Sequence, residues 1–136
     1  MSVLSRFRKE SPFEARDLAR ELEVKIIKLC MNEKYFPKRY RFTVAQSIIE
    51  SVQKMGDYIT IANRLPVYRD CIAEREKNQR YAFAMCEVLL RKLDLAERLG
   101  FSIPEGLLTE LVRDIDKEEK SIKGWIASDK KRLNEE

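Results

Sequence analysis

The sequence predicts an all-α protein, folded as an antiparallel, up-and-down four-helix bundle. Its 136 residues include only four glycines and four prolines, so chain breaks are few and the elements between them are long. Apolar residues recur at steps of three and four, and no stretch alternates with the two-residue period of a strand. Four long helices with short connections pack as antiparallel neighbours. We expect one domain over residues 1–136, with helices at about 12–34, 43–64, 70–99 and 104–133.

The first helix is predicted from its start signal and its apolar stripe. Residues 11–14 read Ser-Pro-Phe-Glu, a capping box with proline at the first helical position. The stripe that follows fits one buried face of a helix. It comprises Ala15, Leu18, Ala19, Leu22, Ile26, Leu29 and Cys30.

The second helix is predicted to begin after a break in this period. Pro37 disfavours helical backbone at the residue before it, and residues 43–46 (Thr-Val-Ala-Gln) form a second capping box. Gly56 lies inside the helix, where it costs about 1 kcal/mol relative to Ala, and it marks a candidate close approach between helices. The apolar face comprises Val44, Ile48, Val52, Met55, Ile59 and Ala62.

The third and fourth helices are separated by a stop and a start signal. Gly100 is a C-terminal stop, and residues 102–105 (Ser-Ile-Pro-Glu) form a third capping box. Residues 67–80 are polar, and the pattern leaves open whether they are loop or helix. The charged residues 129–136 are expected to fray. The apolar faces comprise Ala82, Met85, Cys86, Leu89, Leu93, Ala96 and Leu99 in the third helix, and Leu108, Leu111, Val112, Ile115, Ile122, Trp125, Ile126 and Leu133 in the fourth.

The composition argues against catalysis. The chain has no histidine, so Ser-His-Asp, Cys-His and di-iron Glu-x-x-His sites cannot form. The four glycines are isolated and build no phosphate loop. Glu118 and Glu119 are adjacent and are expected on the solvated surface. We predict no catalytic residue, no metal site, no cofactor and no small-molecule substrate.

The cysteines and the hydropathy bear on the cellular location. The three cysteines, at positions 30, 71 and 86, form no CxxC pair and stand among apolar residues, which fits reduced core side chains. No apolar run is long enough to span a membrane, and the N-terminus lacks the apolar region of a signal peptide. We expect a cytoplasmic protein that does not contact membranes.

The net charge of +4 is unevenly distributed along the chain. Residues 105–136 carry seven Lys/Arg and nine Asp/Glu, so the positive excess lies in the first three quarters of the sequence. Such an excess permits contact with a phosphate backbone without requiring it.

One basic segment is interleaved with aromatic residues. Four cations fall within residues 34–41, which contain no acid, and four aromatic residues stand between and beside them. Arginine can hold phosphates and aromatic rings can stack on unpaired bases. Alternatively, the rings close the bundle end and the cations stay in water, which composition alone favours. The cations are Lys34, Lys38, Arg39 and Arg41, and the rings are Tyr35, Phe36, Tyr40 and Phe42.

A second basic cluster lies in the third helix, at Arg91, Lys92 and Arg98. Asp94 and Glu97 are interleaved with it. Ion pairs within the helix explain this cluster at least as well as a binding face does.

Four segments resemble a known family of small helical bundles. Residues 36–46 (Phe-Pro-Lys-Arg-Tyr-Arg-Phe-Thr-Val-Ala-Gln) resemble the segment that opens the family's second helix. Residues 61–64 (Ile-Ala-Asn-Arg), 90–96 (Leu-Arg-Lys-Leu-Asp-Leu-Ala) and 124–128 (Gly-Trp-Ile-Ala-Ser) are similar to three later segments. The family contains the accessory variability determinant proteins of diversity-generating retroelements and the proteins encoded in intervening sequences of 23S ribosomal RNA genes. The chain lacks the Asn-Ile-Ala-Glu-Gly type of segment of the ribosomal branch, which favours the retroelement branch.

The resemblance implies a bundle that assembles into a homopentameric barrel with a basic surface. It implies a non-catalytic accessory protein that binds a reverse transcriptase and template RNA, with DNA as a further ligand, and supports mutagenic retrohoming. Lys38, Arg39 and Arg41 match the family's basic segment and Arg91 matches its third-helix arginine, so these four are the candidate binding residues. The alternative is a self-assembling structural or protein-adaptor bundle with no nucleic-acid role. Trp125 fits either the core or a subunit interface.

Overall fold

The computed structural model describes residues 13–135, and all four long elements within them are α-helices. Neighbouring helices pack in chain order, and the first also contacts the fourth. The all-α prediction is confirmed, and the contacts are consistent with an up-and-down four-helix bundle. The helices are α1 Glu14–Cys30, α2 Gln46–Arg64, α3 Ile72–Arg98 and α4 Glu105–Asn134.

A single apolar cluster fills the space between the four helices. Each helix contributes one stripe at steps of three and four, so burial of these stripes holds the helices together. A fully buried aliphatic side chain contributes about 1.5–3 kcal/mol relative to an exposed one. The largest fully buried apolar side chains are Leu22, Ile26, Ile48, Met55, Ile59, Leu89, Leu93, Leu111, Ile115 and Ile122.

The cysteines divide between the core and its edge. Cys30 and Cys86 are buried free thiols, as predicted, and burial raises the pKa of Cys30 to about 12. The Cys86 thiol lies 3.6 Å from the Met55 sulfur. The pKa of Cys86 is also raised, and burial is the main cause. Cys71 is only partly buried, since it caps the start of α3 at the edge of the bundle.

The start of α2 differs from the predicted capping box. A 3-10 turn over Lys38–Tyr40 and a π-helical turn over Arg41–Ala45 lead directly into α2. The Thr43 hydroxyl therefore lies 3.5 Å from the Tyr40 carbonyl oxygen and caps no helix. Pro37, with φ −55°, starts the turn because its fixed backbone suits the residue before a helical segment.

At the end of α3 the predicted stop is confirmed, whereas at the start of α4 the predicted cap is wrong. Gly100 adopts φ +81°, and its N–H donates to the Glu97 carbonyl over 3.0 Å. Phe101 N–H donates to the Ala96 carbonyl over 3.2 Å, which completes a Schellman motif. Ser102 does not cap α4: Pro104 is the N-cap, and no side chain caps the helix there.

The start of α1 is described only from Phe13 onward. Residues 11 and 12 of the first predicted capping box lie outside the described residues. Phe13 is the N-cap, and its N–H donates to the Asp17 carboxylate over 3.2 Å. A Cβ added at Gly56 would lie 3.1 Å from the Glu23 carboxylate, so the Glu23 side chain reaches across from α1 to this glycine.

Candidate nucleic-acid interface

The segment Lys38–Arg41 is fastened to one end of the bundle by aromatic packing. Phe36 is buried, and its ring centroid lies 5.3 Å from that of Phe101 in an edge-on arrangement. The Tyr40 ring packs 5.0 Å from the same Phe101 ring. Because Phe101 follows α3, these rings place the basic segment over the link between α3 and α4.

The three cations of this segment have different surroundings. Lys38 and Arg39 are exposed, and the Arg39 guanidinium lies 5.1 Å from the centroid of the Tyr40 ring. Arg41 is partly buried, and its Nη2 lies 3.4 Å from the Glu33 carboxylate. Glu33 stands one position before the acid-free stretch, which is why the sequence pattern missed this partner.

The aromatic residues of the segment divide between two roles. Tyr35, Phe36 and Tyr40 pack against the core, as expected of rings that close a bundle end. Phe42 follows Arg41 in the π-helical turn that leads into α2, and it is 82% exposed. One exposed ring beside cations is an arrangement that can stack on an unpaired base.

Arg91 lies apart from the Lys38–Arg41 segment. It is exposed on α3, and within residues 13–135 no hydrogen bond or ion pair joins it to that segment. Its neighbour Lys92 donates to the Ser47 carbonyl over 3.0 Å and to the Ser51 hydroxyl over 2.6 Å. Burial, followed by the charge of Arg91, lowers the pKa of Lys92. Arg91 therefore stands beside the early turns of α2, at the same half of the bundle.

The rest of the α3 cluster forms an ion pair within the helix. Arg98 Nε lies 2.8 Å from the Asp94 carboxylate one turn earlier. Both side chains are largely exposed, so this pair contributes little to stability.

A buried polar cluster that the sequence did not predict lies at the opposite end. Arg75 contacts Asp129 through two hydrogen bonds, from Nε over 2.6 Å and from Nη2 over 3.1 Å. Its Nη1 donates to the Ala62 and Leu65 carbonyls over 3.1 and 2.6 Å, which satisfies the end of α2. Gln79 also donates to Asp129, over 2.8 Å.

This cluster bears on two sequence expectations. From Ile72 onward the polar segment is helix, and Arg75, Asn78 and Gln79 in it are buried. The predicted fraying from Asp129 is wrong, because α4 continues to Asn134 and Asp129 is buried against Arg75. Asp129 follows Ile122 by two helical turns, so its position on the apolar stripe was the available signal.

Glu118 is the second unpredicted feature, and its expected place on the solvated surface is wrong. The side chain is fully buried on the core face of α4, and neither carboxylate oxygen has a hydrogen-bond partner among residues 13–135. Burial, with a smaller contribution from the charge of Glu14, raises the pKa of Glu118 to about 8. It stands three residues after Ile115 and four before Ile122, which is the spacing of the apolar stripe.

These burials change the surface charge of α4. Residues 105–116 carry one arginine and four acids, but residues 117–135 carry six Lys/Arg and four acids. Two of those four acids, Glu118 and Asp129, are buried. The acidic balance of residues 105–136 therefore resides in the first half of α4, and burial of Glu118 and Asp129 increases the positive excess of the second half.

Trp125 packs against other residues of the same chain. Its ring centroid lies 4.8 Å from that of Phe13, edge-on, and 5.3 Å from the Arg75 guanidinium. It is partly exposed and borders an open groove of about 750 Å³ between α1 and α4.

No protein-family model matches the chain, and no curated protein is significantly similar to it. Among residues 13–135, no three His, Cys, Asp or Glu side chains are grouped in a way that could hold a metal ion. In the same part of the chain, every helix is too short or too polar to cross a bilayer.

Proposed function

We propose that the protein is a non-catalytic accessory protein that binds nucleic acid, with RNA as the main ligand and DNA as a further one. The observation that carries the proposal is the end of the bundle at Lys38–Arg41. There, exposed Lys38 and Arg39 lie within four residues of Phe42, which is 82% exposed. Cations neutralise phosphates and an open ring stacks on unpaired bases.

Packing makes this surface suitable for binding. Phe36 and Tyr40 hold the segment against Phe101, so the backbone that carries the cations is already ordered. A ligand therefore has little conformational entropy to remove from the protein on binding. Arg91, exposed on α3 in the same half of the bundle, extends the proposed contact.

The identity of the partner enzyme rests on the sequence resemblance. Residues 36–46, 61–64, 90–96 and 124–128 resemble segments of retroelement accessory proteins. On that basis we propose that the RNA is a retroelement template, and that the protein delivers it to a reverse transcriptase during mutagenic retrohoming.

The test is replacement of the three matched cations by glutamine. In the variant Lys38→Gln/Arg39→Gln/Arg41→Gln we expect the affinity for single-stranded RNA to fall about tenfold at moderate salt. We also expect the negative slope of log affinity against log salt to become shallower by roughly 2, since each lost phosphate contact removes about 0.7. Fluorescence anisotropy of a labelled RNA over a salt series measures both quantities.

The matched control removes three cations that are exposed elsewhere on the helices. Lys54→Gln/Lys77→Gln/Lys131→Gln changes the net charge by the same amount and should leave most of the affinity in place. Equal losses in the two triple variants would mean that only net charge matters, and the Lys38–Arg41 assignment would then be wrong.

A second candidate function is self-assembly, and a specific surface favours it. The groove of about 340 Å³ between α3 and α4 is lined by Leu90, Leu108 and Val112. Three acids, Asp94, Glu97 and Glu105, and one cation, Arg113, also line it. This acidic, apolar groove is complementary to the basic end that carries Phe42. Contact between the two different surfaces on successive copies would be head-to-tail, which closes into a ring when the rotation permits.

A further inference from the structure

Two adjoining grooves lie at the end of the bundle opposite Lys38–Arg41. The first, of about 750 Å³, runs along α4 from Lys117 to Arg132. The second, of about 530 Å³, lies along the link from α2 to α3. They share three lining residues, Asn63, Arg75 and Arg132, and so form one continuous surface, called here the corner surface.

Four exposed cations border the corner surface. Arg64 comes from the end of α2, and Lys117, Lys120 and Arg132 come from α4. Lys120 lies 3.6 Å from Asp116 in an exposed pair. In the described part of the chain the other three make no ion pair.

Arg75 forms the floor between the two grooves. Its guanidinium is occupied by Asp129 and by two carbonyls at the end of α2. It therefore holds the shape of the surface, and the exposed cations around it are left to meet a ligand.

Burial removes the negative charge that the sequence places beside these cations. Asp129 lies in the floor, paired with Arg75, and Glu118 is inside the core. Among the residues 13–135 that line the two grooves, Glu14 is the one exposed acid. The corner surface therefore has a clear positive excess, although the last quarter of the sequence is net acidic.

The corner surface also offers groups that fit a nucleotide strand. Tyr68, on the α2–α3 link, is 62% exposed and lines the second groove, so its ring is open to stacking. The Asn63, Ser121 and Ser128 side chains line the first groove and can hydrogen-bond sugars or phosphates.

We propose that the corner surface is a second contact site for the nucleic-acid backbone, used by the same strand that contacts Lys38–Arg41. The inference rests on the proposed function. The two sites lie at opposite ends of the helical segment from Arg41 to Arg64, roughly 35 Å apart at 1.5 Å per residue. At one phosphate per about 3.4 Å, the rise of a strand stacked as in a duplex, about ten nucleotides span that distance, and an extended single strand spans it with about half as many. A polyanion of that length reaches both sites, whereas a much shorter one reaches only one.

The experiment uses the full chain with Arg64→Gln/Arg132→Gln. Binding to a labelled single-stranded RNA of about 20 nucleotides, twice the length that spans the two sites, is measured by anisotropy over a salt series. Circular dichroism checks that the variant is folded. Loss of two phosphate contacts should make the slope of log affinity against log salt shallower by about 1.4 and lower the affinity about tenfold at moderate salt.

The matched control is Lys54→Gln/Lys131→Gln. It removes two exposed cations that line neither groove, so the net charge changes by the same amount. We expect this control to change the affinity much less than Arg64→Gln/Arg132→Gln does.

The outcomes separate the two proposals. Loss of affinity in Arg64→Gln/Arg132→Gln and not in the control supports the corner surface. If only the Lys38–Arg41 variant loses affinity, the corner surface is no contact site and the proposed function stands. If the wild-type chain binds no RNA at moderate salt, the proposed function itself fails and this inference fails with it.

The length of the RNA tests whether one strand uses both sites. An RNA of about three nucleotides reaches only one site even when extended, so Arg64→Gln/Arg132→Gln should lose less affinity for it than for the longer RNA. Equal losses for the two lengths would show that a single strand does not span the two sites.

Discussion

At the scale of single residues, Glu118 makes a titratable prediction. Its carboxyl is buried without a hydrogen-bond partner among residues 13–135, and its pKa in the folded chain is about 8, above the ordinary value of 4.5. The folded state therefore holds the proton more tightly than the unfolded state does. The corresponding stability is fully present below about pH 4.5 and is lost as the pH rises through 8.

Glu118→Gln should remove this dependence. We expect the variant to match the wild type near pH 5 and to exceed its unfolding free energy by a few kcal/mol near pH 9, since one pKa unit corresponds to about 1.4 kcal/mol. Urea unfolding at several pH values measures the difference. Parallel stability curves for the two proteins across that range would show that the carboxyl does not titrate as described.

The buried residues also show where sequence reasoning stops. Leu111, Ile115 and Ile122 were assigned to the core of α4 from their spacing, and they are buried. Glu118 and Asp129 share the same stripe, yet a charged side chain is ordinarily placed on the surface. Whether a charged side chain on the stripe is buried depends on the partners that the fold brings to it. Arg75, the partner of Asp129, is 54 residues away from it in the chain.

At the scale of helices, the Schellman turn at Gly100 makes the second stability prediction. Gly100 has φ +81°, and no atom lies within 4 Å of a Cβ built there, so the cost of a side chain is confined to the backbone. Gly100→Ala should destabilise the protein by about 1 kcal/mol. Gly124→Ala is the matched control: the site is equally open but helical, so alanine should stabilise it by up to about 1 kcal/mol. If thermal unfolding shows that both substitutions change the stability in the same direction, this explanation of the two glycines is wrong.

Helix boundaries were predicted unevenly for a physical reason. Gly100 was recognisable because a positive φ selects glycine, whatever the tertiary context. The capping boxes at Thr43 and Ser102 failed because neighbouring packing and prolines decided where helical backbone begins. The basic segment was recognisable from composition, but the exposure of Phe42 and the pairing of Arg41 with Glu33 depend on how the chain folds around them.

At the scale of the whole molecule, the expected homopentamer makes a mass prediction. Light scattering behind a sizing column should give five times 16.1 kDa. If the basic end docks on the α3–α4 groove of the next copy, Phe42→Ser should reduce that mass, because it removes the aromatic anchor of the contact. Tyr68→Ser, at the other end of the bundle and also highly exposed, should leave the mass unchanged.

The same variant separates the two candidate functions. A Phe42→Ser protein of unchanged mass and weaker RNA binding supports the ring as a base-stacking group. A smaller particle supports the self-assembling bundle. A wild-type chain that is already a monomer would exclude the pentamer.

The bidentate contact of Arg75 has a consequence for how the bundle opens. One guanidinium joins the end of α2, the start of α3 and the last turns of α4 through Ala62, Leu65 and Asp129. Releasing any one of these leaves a buried charge or carbonyl unpaired, which is costly. We therefore expect the three helix ends to unfold locally as one cooperative unit, so that their amide protons exchange with solvent together rather than one helix at a time.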